Sequence, residues 1–132
     1  MMTKQEKIDF WVKCSDMDFN TMEFMFAGKR YDWSLFIGHL MLEKLLKALF
    51  VKNNPAEIAP PKIHKLVALA EKSHLPLTKE QENDLNTFTT FQINARYQDY
   101  KLKFYKQCTL KYTQPKIEKI KETRQWLKKQ IY

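Results

Sequence analysis

An all-α fold, a five-helix up-and-down bundle, is predicted by three features of this 132-residue chain. It has only two glycines, so hairpin turns have almost no punctuation to work with. Alternating β-branched runs are missing. The third feature is the run YDWSLFIGHLMLEKLLKALFVKN at residues 31–53, the longest apolar-periodic stretch. Leu35, His39, Leu42, Leu46 and Leu49 recur there at three- and four-residue intervals, and Phe36, Leu45 and Phe50 widen the stripe. That pattern makes a helix with a broad buried face, which other helices must cover.

Length and composition fit one domain over residues 1–132. Apolar residues make up 44% and aromatics 14%, far above a disordered composition. No apolar run reaches the roughly 18 to 20 residues that span a bilayer, and MMTKQEK leads straight into helix. The expected location is cytoplasmic, with no membrane contact. Cys14 and Cys108 match no zinc spacing and read as small core residues, so no metal is expected. The formal charge of +8 permits attraction to polyanions without requiring it.

The first helix is predicted over residues 3–27. Thr3 and Glu6 have capping-box spacing, and Gly28 can supply the left-handed residue that ends it. Two neighbouring stripes, Trp11-Ser15-Asp18-Met22-Met25 and Phe10-Cys14-Met17-Phe24, give it one buried face. Asp18, inside or at the edge of that face, needs a donor, with Trp33, Tyr31 or a backbone group as structural candidates. Residues 28–30 form a turn short enough to make the next helix antiparallel to the first. On that central helix Glu43 and Lys47 form an i, i+4 pair, and Lys44 projects from the same side, as a solvated face would. His39 reads as a buried or half-buried structural histidine.

Residues 53–61, NNPAEIAPP, form the longest loop, and a short helix is predicted from about 62 to 73 with Ile63, Leu66, Val67 and Ala70 inward. His64 falls at its start, where free N–H groups favour an anion. A fourth helix begins at Thr78 and Gln81, another capping-box pair, with Leu85, Phe88 and either Phe91 or Gln92 inward, and fades near residues 93–96. Residues 94–112 then interleave Tyr97, Tyr100, Phe104, Tyr105 and Tyr112 with Arg96 and four lysines. Such a segment can stack bases and hold phosphates. A helix with aromatics in the core and lysine stems over them explains it more simply. The last helix is predicted over residues 114–130, with Pro115 in its first turn and Ile117, Ile120, Leu127 and Ile131 inward, Trp126 beside them. There is no glycine-rich phosphate loop, GxSxG or HExxH, so spacing alone announces no catalytic centre.

The order of these elements, with particular residues, resembles the HEPN domain, a small helical module of higher eukaryotes and prokaryotes named for a nucleotide-binding role. The resemblance rests on Trp11, Ser15 and Asp18, on Tyr31 and Phe36, and on the run Leu42-Glu43-Lys44-Leu45-Leu46-Lys47-Ala48-Leu49. It continues through Pro61, His64-Lys65-Leu66 and Leu69 to Ala95-Arg96-Tyr97-Gln98-Asp99-Tyr100, like the family's Arg-Tyr-Pro-Asp segment, and to Trp126-Leu127. Gln98 stands where many relatives have proline. Ribonuclease members carry arginine and histidine separated by four residues. Here Leu35, Lys101 and Lys129 lie five positions after Arg30, Arg96 and Arg124. That motif is absent, and a lysine at 101 stays protonated where the chemistry needs a group titrating near neutrality.

The resemblance therefore implies a non-catalytic HEPN domain, a homodimer that acts as a binding and interaction module. It implies a nucleotide such as ATP, or RNA phosphates, as ligand in place of a fixed cofactor. It also implies a minimal nucleotidyltransferase as partner protein, in toxin-antitoxin or defence modules. Nucleotide-binding candidates are Arg96 for a phosphate, Tyr97 or Tyr100 for stacking, and Lys44, Lys47 and His64 as donors. The competing account makes Arg96 and Asp99 structural, tying the fourth helix to the next segment. Two alternatives remain: a metal-independent ribonuclease pairing His64 with Arg96, and a purely structural partner subunit.

Overall fold

A computed structural model describes residues 1–132, the side chain of Gln98 excepted. Six helices follow one another: α1 Lys4–Ala27, α2 Tyr31–Asn53, α3 Leu66–Lys72, α4 Lys79–Arg96, α5 Gln98–Gln107 and α6 Leu110–Ile131. The all-α expectation holds, with one helix more than expected, because the aromatic-basic segment forms α5 and α6 begins four residues earlier than the proline suggested. The reading of Gln98 in the place of proline concerns a side chain outside the described residues.

Caps set the boundaries. Thr3 and Thr78 each close a full capping box, with Glu6 and Gln81 respectively. At the end of α1, Gly28 keeps a negative φ of −80°, and the left-handed residue is Lys29 at φ 63°. The turn thus takes its strain on a lysine rather than on the glycine that sequence favoured. Pro115 lies within α6, past its first turn, because Thr109 caps the helix further upstream.

Polar side chains that cross between helices fix their directions. Ser15 Oγ donates to Met41 O at 3.1 Å, Ser34 Oγ to Met22 O at 2.9 Å, and Lys4 Nζ to Asn54 O at 3.0 Å. The partner number falls as the α1 number rises, so α1 and α2 are antiparallel. Asp16 on α1 accepts from Arg124 and Lys128 of α6, and Glu23 pairs with Lys121, so α6 also runs against α1. Helix α2 is the axis: 15 of its 23 residues are buried, including every member of the predicted stripe. Gly38 permits a close approach of α2 to α1 and α6, since a Cβ there would stand 2.9 Å from Ile120 Cδ1 and 3.2 Å from Met22 Sδ.

Leu85, Phe88, Phe91 and Gln92 of α4 and Ile117, Ile120, Leu127 and Ile131 of α6 all face inward. Helix α3 starts about four residues later than expected, leaving Ile63 half-buried in extended chain and burying Leu69 beside Leu66 and Ala70. One predicted core stripe is outside: Phe10, Met17 and Phe24 are 49%, 63% and 76% exposed, because α2 and α6 already occupy the side of α1 that carries Ile8, Val12, Ser15 and Met22. Cys14 on that stripe is half-buried, whereas Cys108 is buried, and burial pushes its thiol up to about 12. No described helix is long and apolar enough to cross a membrane.

Candidate functional site

On α2 the residues His39, Glu43 and Lys47 are four apart and share one face. Glu43 is 5% exposed, and its carboxylate is satisfied from two sides. His64 Nδ1 donates to Oε1 at 2.8 Å, and Lys47 Nζ lies 3.4 Å from Oε2. His39 Nε2 donates to the His64 carbonyl at 2.8 Å. His64 is thus held by its backbone and its ring, while its side chain remains 54% exposed. Since a carboxylate only accepts, Nδ1 carries the proton of neutral His64, and Nε2 is its free acceptor. The Lys47 ammonium also lies 5.3 Å from the centre of the Trp11 ring.

His39 is fully buried, and its Nδ1 has no hydrogen-bond partner among the described residues. Burial lowers its proton affinity, and this outweighs the opposing pull of the His64 carbonyl and Glu43. Unfolded, the imidazole takes a proton below about 6.5, which the folded chain resists until lower pH. Stability present above that pH is therefore lost as pH falls through the window between the two states, at no more than about 1.4 kcal/mol per pH unit. Asp16 acts in a separate, more acidic window: burial opposes its charge, but Lys128 and Arg124 outweigh this and hold it below its ordinary value. Urea unfolding of wild type and His39→Gln at pH 7 and pH 5 checks the assignment. Wild type should lose more stability on acidification, and equal losses would remove His39 as the cause.

The second part of the site is the corner between α4 and α5. Arg96 turns back along α4, with Nε donating to Gln92 O at 3.2 Å and its guanidinium 5.7 Å from the Phe36 ring and 5.8 Å from the Tyr97 ring. Phe36 meets Trp33 edge-on at 5.3 Å, Lys101 Nζ lies 6.0 Å from the Trp33 ring, and Arg30 lies 5.6 Å from the Tyr105 ring. Arg30 is also paired with the buried Asp32 at 3.3 Å. Arg30, Asp32, Lys101, Leu102 and Tyr105 line a cleft of about 340 Å³. Helix α5 buries Phe104 and leaves Tyr100, Leu102 and Tyr105 half exposed or more, so the expectation of an inward aromatic face is corrected. Its ten residues make too few turns to bury more than one ring against α4 while keeping three lysines and two tyrosines in water.

Of the predicted ligand residues, the fold joins Lys47 and His64 through Glu43, and Arg96 to Tyr97. Arg96 is also near enough to His39 for its charge to disfavour protonation there. Tyr100 lines a different cleft, with Asn94, Lys103, Phe104 and Gln107. Lys44 is bound to Asp18 of α1, so the donor that Asp18 required is a lysine and not Trp33, Tyr31 or backbone. Neither Lys44 nor Lys47 belongs to a solvated face, their side chains being 28% and 12% exposed. Asp99 is exposed in the first turn of α5, and no ion pair joins it to Arg96 among the described residues. His64 precedes α3 rather than starting it, and the Leu66 N–H at that start is taken by Thr89 Oγ1 at 3.2 Å.

Glu43 as the hub escaped sequence reasoning, although its place four residues after His39 on the buried stripe was a signal that it faces inward. Among the described residues no cluster of His, Cys, Asp and Glu could hold a metal ion.

A family description, HEPN domain, matches residues 8–130. No curated protein and no solved structure matches the chain. The match takes in the Glu43-His64 pair, the Arg96-Tyr97 corner and all but the ends of α1 and α6, and so the chain belongs to the HEPN family.

Proposed function

We propose that this HEPN domain is a non-catalytic binding module that holds single-stranded RNA, or a nucleotide such as ATP, on the face running from Arg96 and Tyr97 across Trp33 to Lys101 and Arg30. The observation that carries the reading is the alternation of cations and accessible rings along that face. Bases stack on rings whatever their sequence, and fixed guanidinium and ammonium groups neutralise the phosphates between them. Tyr97 and Tyr105, 55% and 50% exposed, are the stacking surfaces, with Arg96 and Arg30 beside them. Fluorescence anisotropy with a labelled single-stranded RNA tests this. Tyr97→Ala should weaken binding about tenfold, the usual loss on removing one stacked base contact. An unchanged affinity would remove Tyr97 from the site.

The family reading also makes the protein a homodimer, and the exposed stripe on α1 supports it. Phe10 and Phe24 lie seven residues on either side of Met17, so a second copy laid antiparallel across Met17 would pair each phenylalanine with the other. Phe24→Glu should turn a dimer into a folded monomer in sedimentation; an unchanged mass would move the interface elsewhere. The same family reading makes a minimal nucleotidyltransferase the expected partner protein, in modules of toxin-antitoxin or defence type.

One observation favours a second reading. Glu43 orients His64 with Nε2 free, as a general base requires. RNA cleavage in EDTA that disappears in His64→Ala would make the protein a metal-independent ribonuclease.

A further inference from the structure

A cleft of about 370 Å³ opens between α3 and α4 beside His64. Ile63, Ala68 and Ile93 give it apolar walls, and His64, Lys65, Thr89 and Gln92 complete the lining. The Thr89 hydroxyl is committed, since it accepts from Leu66 N at 3.2 Å and donates to Leu85 O at 2.9 Å. The carboxamide of Gln92, a residue only 7% exposed, is therefore the neutral polar group left to address an occupant. Gln92 and Ile93 sit one helical turn before Arg96 and Tyr97, so the cleft and the cation-ring face lie along one side of α4.

We propose that this cleft takes one unstacked nucleobase of a strand held at Arg96 and Tyr97, and that Gln92 reads its edge and selects adenine. The proposal rests on the strand-binding reading above. A carboxamide offers one donor and one acceptor side by side, and adenine answers both at once through N6 with either N7 or N1. On the Hoogsteen edge only adenine sets a donor, N6, beside an acceptor, N7; guanine presents two acceptors there, and the pyrimidines have no ring acceptor beside their exocyclic group. Lys65 stands at the same cleft as the donor for the phosphate of that nucleotide.

The test is the affinity of the full chain for oligo(A), oligo(U) and oligo(C) of equal length at one salt concentration, beside Gln92→Met. Methionine keeps volume and helix preference while removing the amide, and a thermal melt confirms its fold. Wild type should prefer oligo(A) about tenfold, and Gln92→Met should bring the three within about twofold without changing the salt slope. Equal wild-type affinities would overturn the base-reading cleft and leave the strand-binding face standing. An adenine preference that survives in Gln92→Met would assign selection to stacking and overturn the proposal as well. No binding to any oligomer would sink the cleft together with the strand-binding reading.

Discussion

Glu43→Ala is expected to cost about 3 kcal/mol of folding stability, the scale for removing one partner of a buried charged pair. Three groups lose their anchor at once. The Lys47 ammonium, on a side chain 12% exposed, keeps only the Trp11 ring for company. His64 Nδ1 loses its acceptor, and the extended chain before α3 loses one of the two bonds that tie His64 to α2, keeping the one from His39. Because the charge left behind is buried, the loss exceeds what a surface ion pair supplies, which is 1 kcal/mol or less in order of magnitude. His64→Ala provides the contrast, since that side chain is half exposed and its removal leaves Glu43 with Lys47; its cost should be about 1 kcal/mol. Urea unfolding of the two variants checks the ranking. Equal costs would mean that Glu43 does not organise the cluster.

The second large effect falls on binding and should leave stability nearly untouched. Arg96→Gln with Lys101→Gln removes the two proposed phosphate donors, both exposed, so the fold should change by no more than about 0.5 kcal/mol. Affinity for a single-stranded RNA should fall about a hundredfold at low salt, since a hydrogen bond to a charged group contributes roughly 1.5 to 3 kcal/mol. The log-log salt slope should become shallower by about 1.4, two contacts at about 0.7 each. A loss of affinity with an unchanged slope would mean that the two side chains shape the face without touching phosphate.

The helices were legible in sequence wherever one strong periodic signal decided them. The stripe of α2, the capping boxes at Thr3 and Thr78 and the inward residues of α6 are local patterns, and local patterns survive folding. Sequence failed where two patterns competed for one surface. Phe10, Met17 and Phe24 have the same spacing as the true core stripe of α1, and only the positions of α2 and α6 decide which stripe is covered. Helix α5 fails similarly: its aromatics suit a core, but Phe104 fills the space that α4 leaves. The candidates Arg96, Tyr97, His64 and Lys47 come from the family resemblance, whereas Glu43 draws its meaning from His64, 21 residues away, and Gln92 from the cleft beside His64.

The cation-ring face, on the function proposed above, holds a polyanion in single-stranded form. The most direct measurement is the affinity of the wild-type protein for a single-stranded RNA from about 50 to 200 mM salt, the range over which phosphate contacts are most visible. Contacts from Arg30, Arg96 and Lys101 predict a log-log slope of about −2 or steeper. A flat line, or no binding at the lowest salt, would contradict the claim and leave the face as packing for α5.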